Sequence, residues 1–165
     1  GQHCHSAAIK GQVDRVDIVA GDGESHDKAI VLDYKSGDGS SKNIGSWAKN
    51  RQYQLALYTM ACEAGLLTGK KQDVMAAQFF SFKSFQRSKG FQRSDFNTAG
   101  VLPEKASKNL LVDGAEKESA FLEIKNQIQS HLDGIQKGQM TPQPFENRIC
   151  ERCSWSKLCR APHLS

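Results

Sequence analysis

Two β-rich blocks joined by a turn-forming cluster constrain this chain more than any other feature. The first is Gly11-Gln-Val-Asp14-Arg-Val-Asp17, with Val13, Val16, Ile18 and Val19 around its polar residues, and it predicts a strand within residues 7–20. The second, Ile30-Val-Leu-Asp33-Tyr34-Lys35-Ser-Gly37, predicts another strand. Between them Gly21-Asp-Gly-Glu-Ser-His-Asp27 supplies the residues of a hairpin turn. Side chains two apart on a strand share a face, so Asp33 and Lys35 point the same way. By the same rule Arg15 and Asp17 share a face and pair with each other. That leaves Asp14 on the opposite face with Gln12 and Val16, the better placed of the two acids to join Asp33. Two carboxylates and a lysine converging at strand ends suit a hard divalent cation and a water nucleophile. A short D-x-K pattern alone more often describes a solvated strand face, and it is the neighbouring blocks that change the reading.

The remaining chain predicts helices and further strands around this pair. Residues 47–65, with Trp47, Tyr53, Leu55, Leu57, Tyr58, Met60 and Cys62, read as a helix stopped by Gly65. Spacing would put Arg51, Gln54 and Tyr58 along one face of it, with Cys62 as a small buried apolar residue. Residues 73–82 read as a third strand. Residues 38–46 are a flexible loop by composition, and 97–115 look irregular. A clear amphipathic helix is expected over 115–137, with Phe121, Ile124, Ile128, Leu132 and Ile135 as one core stripe.

Six of the eight phenylalanines lie between Phe79 and Phe96, interleaved with Lys83, Arg87, Lys89 and Arg93. Aromatic and basic residues together can grip single-stranded nucleic acid by stacking and phosphate contact. A strand pair with an aromatic core face and a solvated basic edge explains the same pattern through strand periodicity, and is the preferred reading.

The blocks G-x-V-D-R-V-D, V-L-D-Y-K-S-G and Gln54-Leu-Ala-Leu-Tyr58, in this order, resemble the PD-(D/E)XK nuclease superfamily, most closely its RecB/AddB branch. The resemblance implies an α/β, restriction-endonuclease-like core: a central mixed sheet of roughly three to five strands flanked by helices. It implies metal-dependent DNA cleavage, exonuclease-type, in DNA repair or recombination, with a helicase domain or subunit as partner. Asp14, Asp33 and the Tyr34 carbonyl would hold Mg²⁺ or Mn²⁺, Lys35 would act on water or phosphate, and Gln54 and Tyr58 would support the site.

Three cysteines close the chain as C-x2-C-x5-C: Cys150, Cys153 and Cys159. A Cys-x-x-Cys pair chelates soft metals, either zinc or an iron–sulfur cluster. The resemblance favours a [4Fe–4S] cluster, in which three C-terminal cysteines join one distant N-terminal cysteine. Cys4 lies only ten positions before Asp14, too close to be that residue, so the family's N-terminal helix is expected to be missing from this chain. His163 would complete a zinc site instead.

A length of 165 residues, 38% hydrophobic and 24% charged, fits one domain with a sizeable core. The expected division is a frayed start at 1–6, a nuclease core at 7–137 and a cysteine-rich segment at 138–165. No apolar run is long enough for a membrane helix, and a net charge of +4 permits a polyanionic partner. Five cysteines in a chain this long suggest a reducing cytoplasm rather than a disulfide scaffold.

Overall fold

The computed structural model describes residues 8–20, 27–37, 41–96, 110–139, 141–142, 144, 146 and 148–159. Its centre is a five-stranded mixed sheet in the order β1 to β5: β1 Arg15–Val19, β2 Asp27–Lys35, β3 Gln72–Ser81, β4 Gln86–Arg93 and β5 Leu111–Val112. β1 and β2 run antiparallel, pairing Arg15 with Leu32, as the hairpin signal predicts. β2 and β3 run parallel, β3 and β4 antiparallel, and β4 and β5 parallel. The α/β restriction-endonuclease-like architecture expected from the sequence is the one observed.

A parallel β2–β3 pair needs a crossover, and α1 (Gln54–Glu63) supplies it. The helix predicted over 47–65 starts later than its composition suggests. Residues 44–46 form a 3-10 turn, and Arg51 adopts a left-handed φ of 52°, which breaks helical propagation before Gln54. Arg51 therefore does not share a helical face with Gln54 and Tyr58. The loop at 38–46 is not free in its described part: Ile44 is buried, and the Trp47 indole donates to the Lys42 carbonyl at 2.8 Å.

The main core lies between the sheet and the helices. Trp47, Phe91 and Phe121 pack as a cluster of rings 5.9–6.4 Å apart, joined by Val31, Leu55, Val74 and Ile124. Cys62 is fully buried there, as predicted, and its thiol donates to Gln72 Oε1 at 3.5 Å. α2 (Gly114–Gln136) begins at an Asp113–Glu116 capping box, which fixes its start within a residue of expectation. Its stripe is core only at the first half. Phe121 and Ile124 are buried, whereas Ile135, near the C-terminal end of the helix, is exposed. The other sheet face carries a smaller cluster of Ile30, Leu32, Met75, Ala76 and Phe96.

One glycine is required by close approach. At the β3–β4 irregularity Gly90 holds φ 120°, and a Cβ there would lie 2.0 Å from the Ala77 carbonyl oxygen. The phenylalanine-rich pair divides as follows: Phe79, Phe91 and Phe96 are buried, while Phe82 and Phe85 are exposed. No helix among the described residues is long and apolar enough to cross a membrane.

Candidate active site

Asp33 and Lys35 sit at the end of β2, on the face that α1 covers. The strand alternation that predicts their shared face brings their side chains together: Lys35 Nζ lies 2.5 Å from Asp33 Oδ2. α1 begins opposite them, so its first residue, Gln54, points into the pair. The Gln54 amide Nε2 donates to Asp33 Oδ1 at 2.7 Å, and Lys35 donates to Gln54 Oε1 at 2.9 Å. One turn on, the Tyr58 hydroxyl accepts from the same amide at 3.0 Å. Four of the sequence-nominated side chains thus form one closed hydrogen-bond network. Beneath it the Phe79 ring lies 5.3 Å from Lys35 Nζ, a cation–π contact that strand periodicity alone did not single out.

Asp14 reaches the site from the other side. It lies in the bend before β1 rather than within the strand, and its Oδ2 accepts the Tyr34 amide at 2.8 Å. The amide and carbonyl of one strand residue point to the same side, so the Tyr34 carbonyl also faces the side of Asp14. The competing acid, Asp17, is held elsewhere, by Arg15 at 2.6 Å.

The electrostatics are unusual for a strand-end carboxylate. Asp33 is 2% exposed, and burial pushes its carboxyl above the usual range, opposed by Lys35 and reinforced by the charge of Asp14. Its Oδ2 is buried against the Lys35 ammonium, while Oδ1 accepts from Gln54. A carboxylate held by one ammonium and one amide retains lone pairs for a further cation. Among the described residues no three His, Cys, Asp or Glu side chains gather around one point, so a cation here would take two carboxylates and a peptide carbonyl.

A cleft of about 1010 Å³ opens beside this network, lined by Lys35, Gln54 and Tyr58 and by the outward face of α1 through Leu57 and Met60. Arg51, with its left-handed backbone, lies on the same wall.

The C-terminal cysteines belong to a short helix and the turn that follows it. α3 (Arg148–Glu151) buries Cys150, and the following turn is closed by the Cys153 amide donating to the Cys150 carbonyl at 3.2 Å. Burial and the neighbouring sulfurs of Cys153 and Cys159 push the Cys150 thiol up. None of the three is in a disulfide among the described residues, where no group of three metal-ligating side chains is formed. The candidate fourth ligands, Cys4 and His163, lie outside the described residues.

A family model for the PD-(D/E)XK nuclease superfamily matches residues 2–160. No curated protein matches the chain.

Proposed function

The chain belongs to the PD-(D/E)XK nuclease superfamily, and from that premise we propose that it hydrolyses DNA phosphodiester bonds with Mg²⁺ or Mn²⁺. We assign it to the RecB/AddB-like branch, as an exonuclease-type domain in DNA repair or recombination that works beside a helicase domain or subunit. The observation that carries the reading is the Gln54 bridge, which binds the buried acid and the lysine in one network at 2.7 and 2.9 Å.

The oxygen donors present fit a hard divalent cation: Asp14, Asp33 and the Tyr34 carbonyl would hold it. A cation held there supplies charge neutralisation at the scissile phosphate and lowers the pKa of water. Lys35 contributes a fixed ammonium that orients the attacking water or neutralises charge building on the phosphoryl oxygens in the transition state. Hydrolysis forms one P–O bond from water and breaks the one to the leaving sugar oxygen. Gln54 sets the positions of Asp33 and Lys35, and Tyr58 sets Gln54. Cys150, Cys153 and Cys159 are assigned a structural role, as ligands of a [4Fe–4S] cluster or of zinc together with a ligand outside the described residues. No step of the cleavage passes through them.

The test is Asp14→Ala, assayed for both binding and cleavage. A nuclease loses metal-dependent cleavage and keeps DNA affinity within a few-fold. The alternative, a non-cleaving DNA-binding or scaffolding module on this fold, shows no metal-dependent cleavage before or after the substitution.

A further inference from the structure

Beyond the cleavage centre, the reverse face of β2 carries side chains that the fold does not account for. Tyr34 lies between Asp33 and Lys35 in sequence, so its ring projects to the opposite sheet face. There it meets Phe80 at 5.8 Å and Phe82 at 5.2 Å, and those two rings lie 5.6 Å apart. Phe82 is 51% exposed and Phe85, three residues on, is 75% exposed. Phe85 also holds a left-handed φ of 54°, a conformation that costs a bulky residue more than Gly or Asn. Burial does not explain a phenylalanine there.

The tip that bears these rings is fixed. Ser81, buried at the end of β3, accepts from the Lys83 and Ser84 amides at 3.2 and 3.4 Å. The Phe82 amide donates to the Lys35 carbonyl at 2.9 Å, so the aromatic tip is tied to the backbone of the candidate catalytic lysine.

Cationic groups stand at the edge of the same patch. Arg87 is the register partner of Phe80, and its Nη1 is buried with no hydrogen-bond partner. Burial holds its guanidinium below the usual range, with Asp17 and Tyr34 opposing and Arg15 adding repulsion. Arg15 stays half exposed while engaged with Asp17 and Tyr34. Two arginines thus share one aspartate, which leaves positive charge beside exposed rings.

We propose that Tyr34, Phe80, Phe82 and Phe85, edged by Arg15 and Arg87, form a stacking platform for single-stranded DNA. Bases stack on the rings while a phosphate is drawn to the guanidinium charge at their edge. The platform is complementary to a strand in both respects, since it offers π-faces at the tip and uncompensated charge at its edge. Its role in feeding a strand to the centre across the sheet rests on the nuclease reading; the binding does not.

The test is fluorescence anisotropy of the full chain in EDTA, so that no cleavage intervenes, with oligothymidylate, an abasic oligomer of equal charge and a duplex. Phe82→Ala/Phe85→Ala should weaken oligothymidylate binding at least about ten-fold and leave abasic binding little changed. Arg87→Gln should weaken both and reduce the salt slope by about 0.7. Phe82 loses only its contacts with Tyr34 and Phe80, so the melting temperature of the double variant should fall by no more than about 2–4 °C. Unchanged oligothymidylate affinity in the double variant, or an equal loss on the abasic oligomer, overturns the proposal. Native binding with these dependences but no metal-dependent cleavage would sink the nuclease reading and leave the platform standing.

Discussion

Asp33 carries opposite demands from folding and from chemistry. Its carboxyl is raised chiefly by burial, so the fold favours the protonated form. The stability that goes with that form is complete below the unfolded pKa and is lost as pH rises through the folded one. In the metal-free chain burial therefore works against the ionised form that a bound cation needs. Asp33→Asn should melt at a higher temperature than the native chain in EDTA, while metal-dependent cleavage falls by at least about 100-fold. Added Mg²⁺ should raise the native melting temperature and leave that of Asp33→Asn unmoved, and calorimetry in the two conditions checks both. Metal binding must ionise Asp33, so metal affinity should decline as the solution is acidified through its raised pKa. Gln54→Ala should slow cleavage by about 10–100-fold, since it removes a positioning contact rather than a donor to substrate.

The elements hold this site through interactions of unequal accessibility. Lys117 in the first turn of α2 is almost fully buried, ion-paired with Glu63 at the end of α1 and lying 5.8 and 5.6 Å from the Phe91 and Phe121 rings. Glu63 keeps 28% of its side chain in solvent, whereas Lys117 keeps 4%. Removing the acid strands a buried ammonium, while removing the lysine leaves a carboxylate that water can reach. Glu63→Gln should therefore cost about 2–4 kcal/mol and Lys117→Met distinctly less, measured by urea unfolding. At the β3–β4 irregularity, Gly90→Ala should cost about 3 kcal/mol, because the added carbon meets main chain that cannot move aside.

Across the whole molecule, local patterns in the sequence located most of what the structure brings together. The D-x-K alternation and the Gln54–Tyr58 helical spacing depend only on strand and helix periodicity, so the pairing of those side chains was legible. Features set by tertiary contact were not. The late start of α1 follows from the backbone at Arg51, and the exposure of Ile135 departs from the stripe its spacing predicts. Lys117 reads as an ordinary helix-surface residue until Glu63 and two rings enclose it. The phenylalanines between 79 and 96 divided along the sheet: strand periodicity accounts for Phe79 and Phe91 in the core, but not for the exposed tip at Phe82 and Phe85.

At the same scale, purified chain should show either the visible absorption of an iron–sulfur chromophore or stoichiometric zinc. Cys153→Ser should lose that group and thermal stability together, without altering the metal dependence of cleavage.

The most direct measurement is degradation of linear and single-stranded DNA with Mg²⁺ or Mn²⁺, comparing the native chain with Asp33→Ala and Lys35→Ala. The predicted result is metal-dependent cleavage by the native chain that is lost in both variants while each stays folded. Cleavage that persists in either folded variant, or DNA binding by the native chain with no cleavage at any metal concentration, would contradict the assignment.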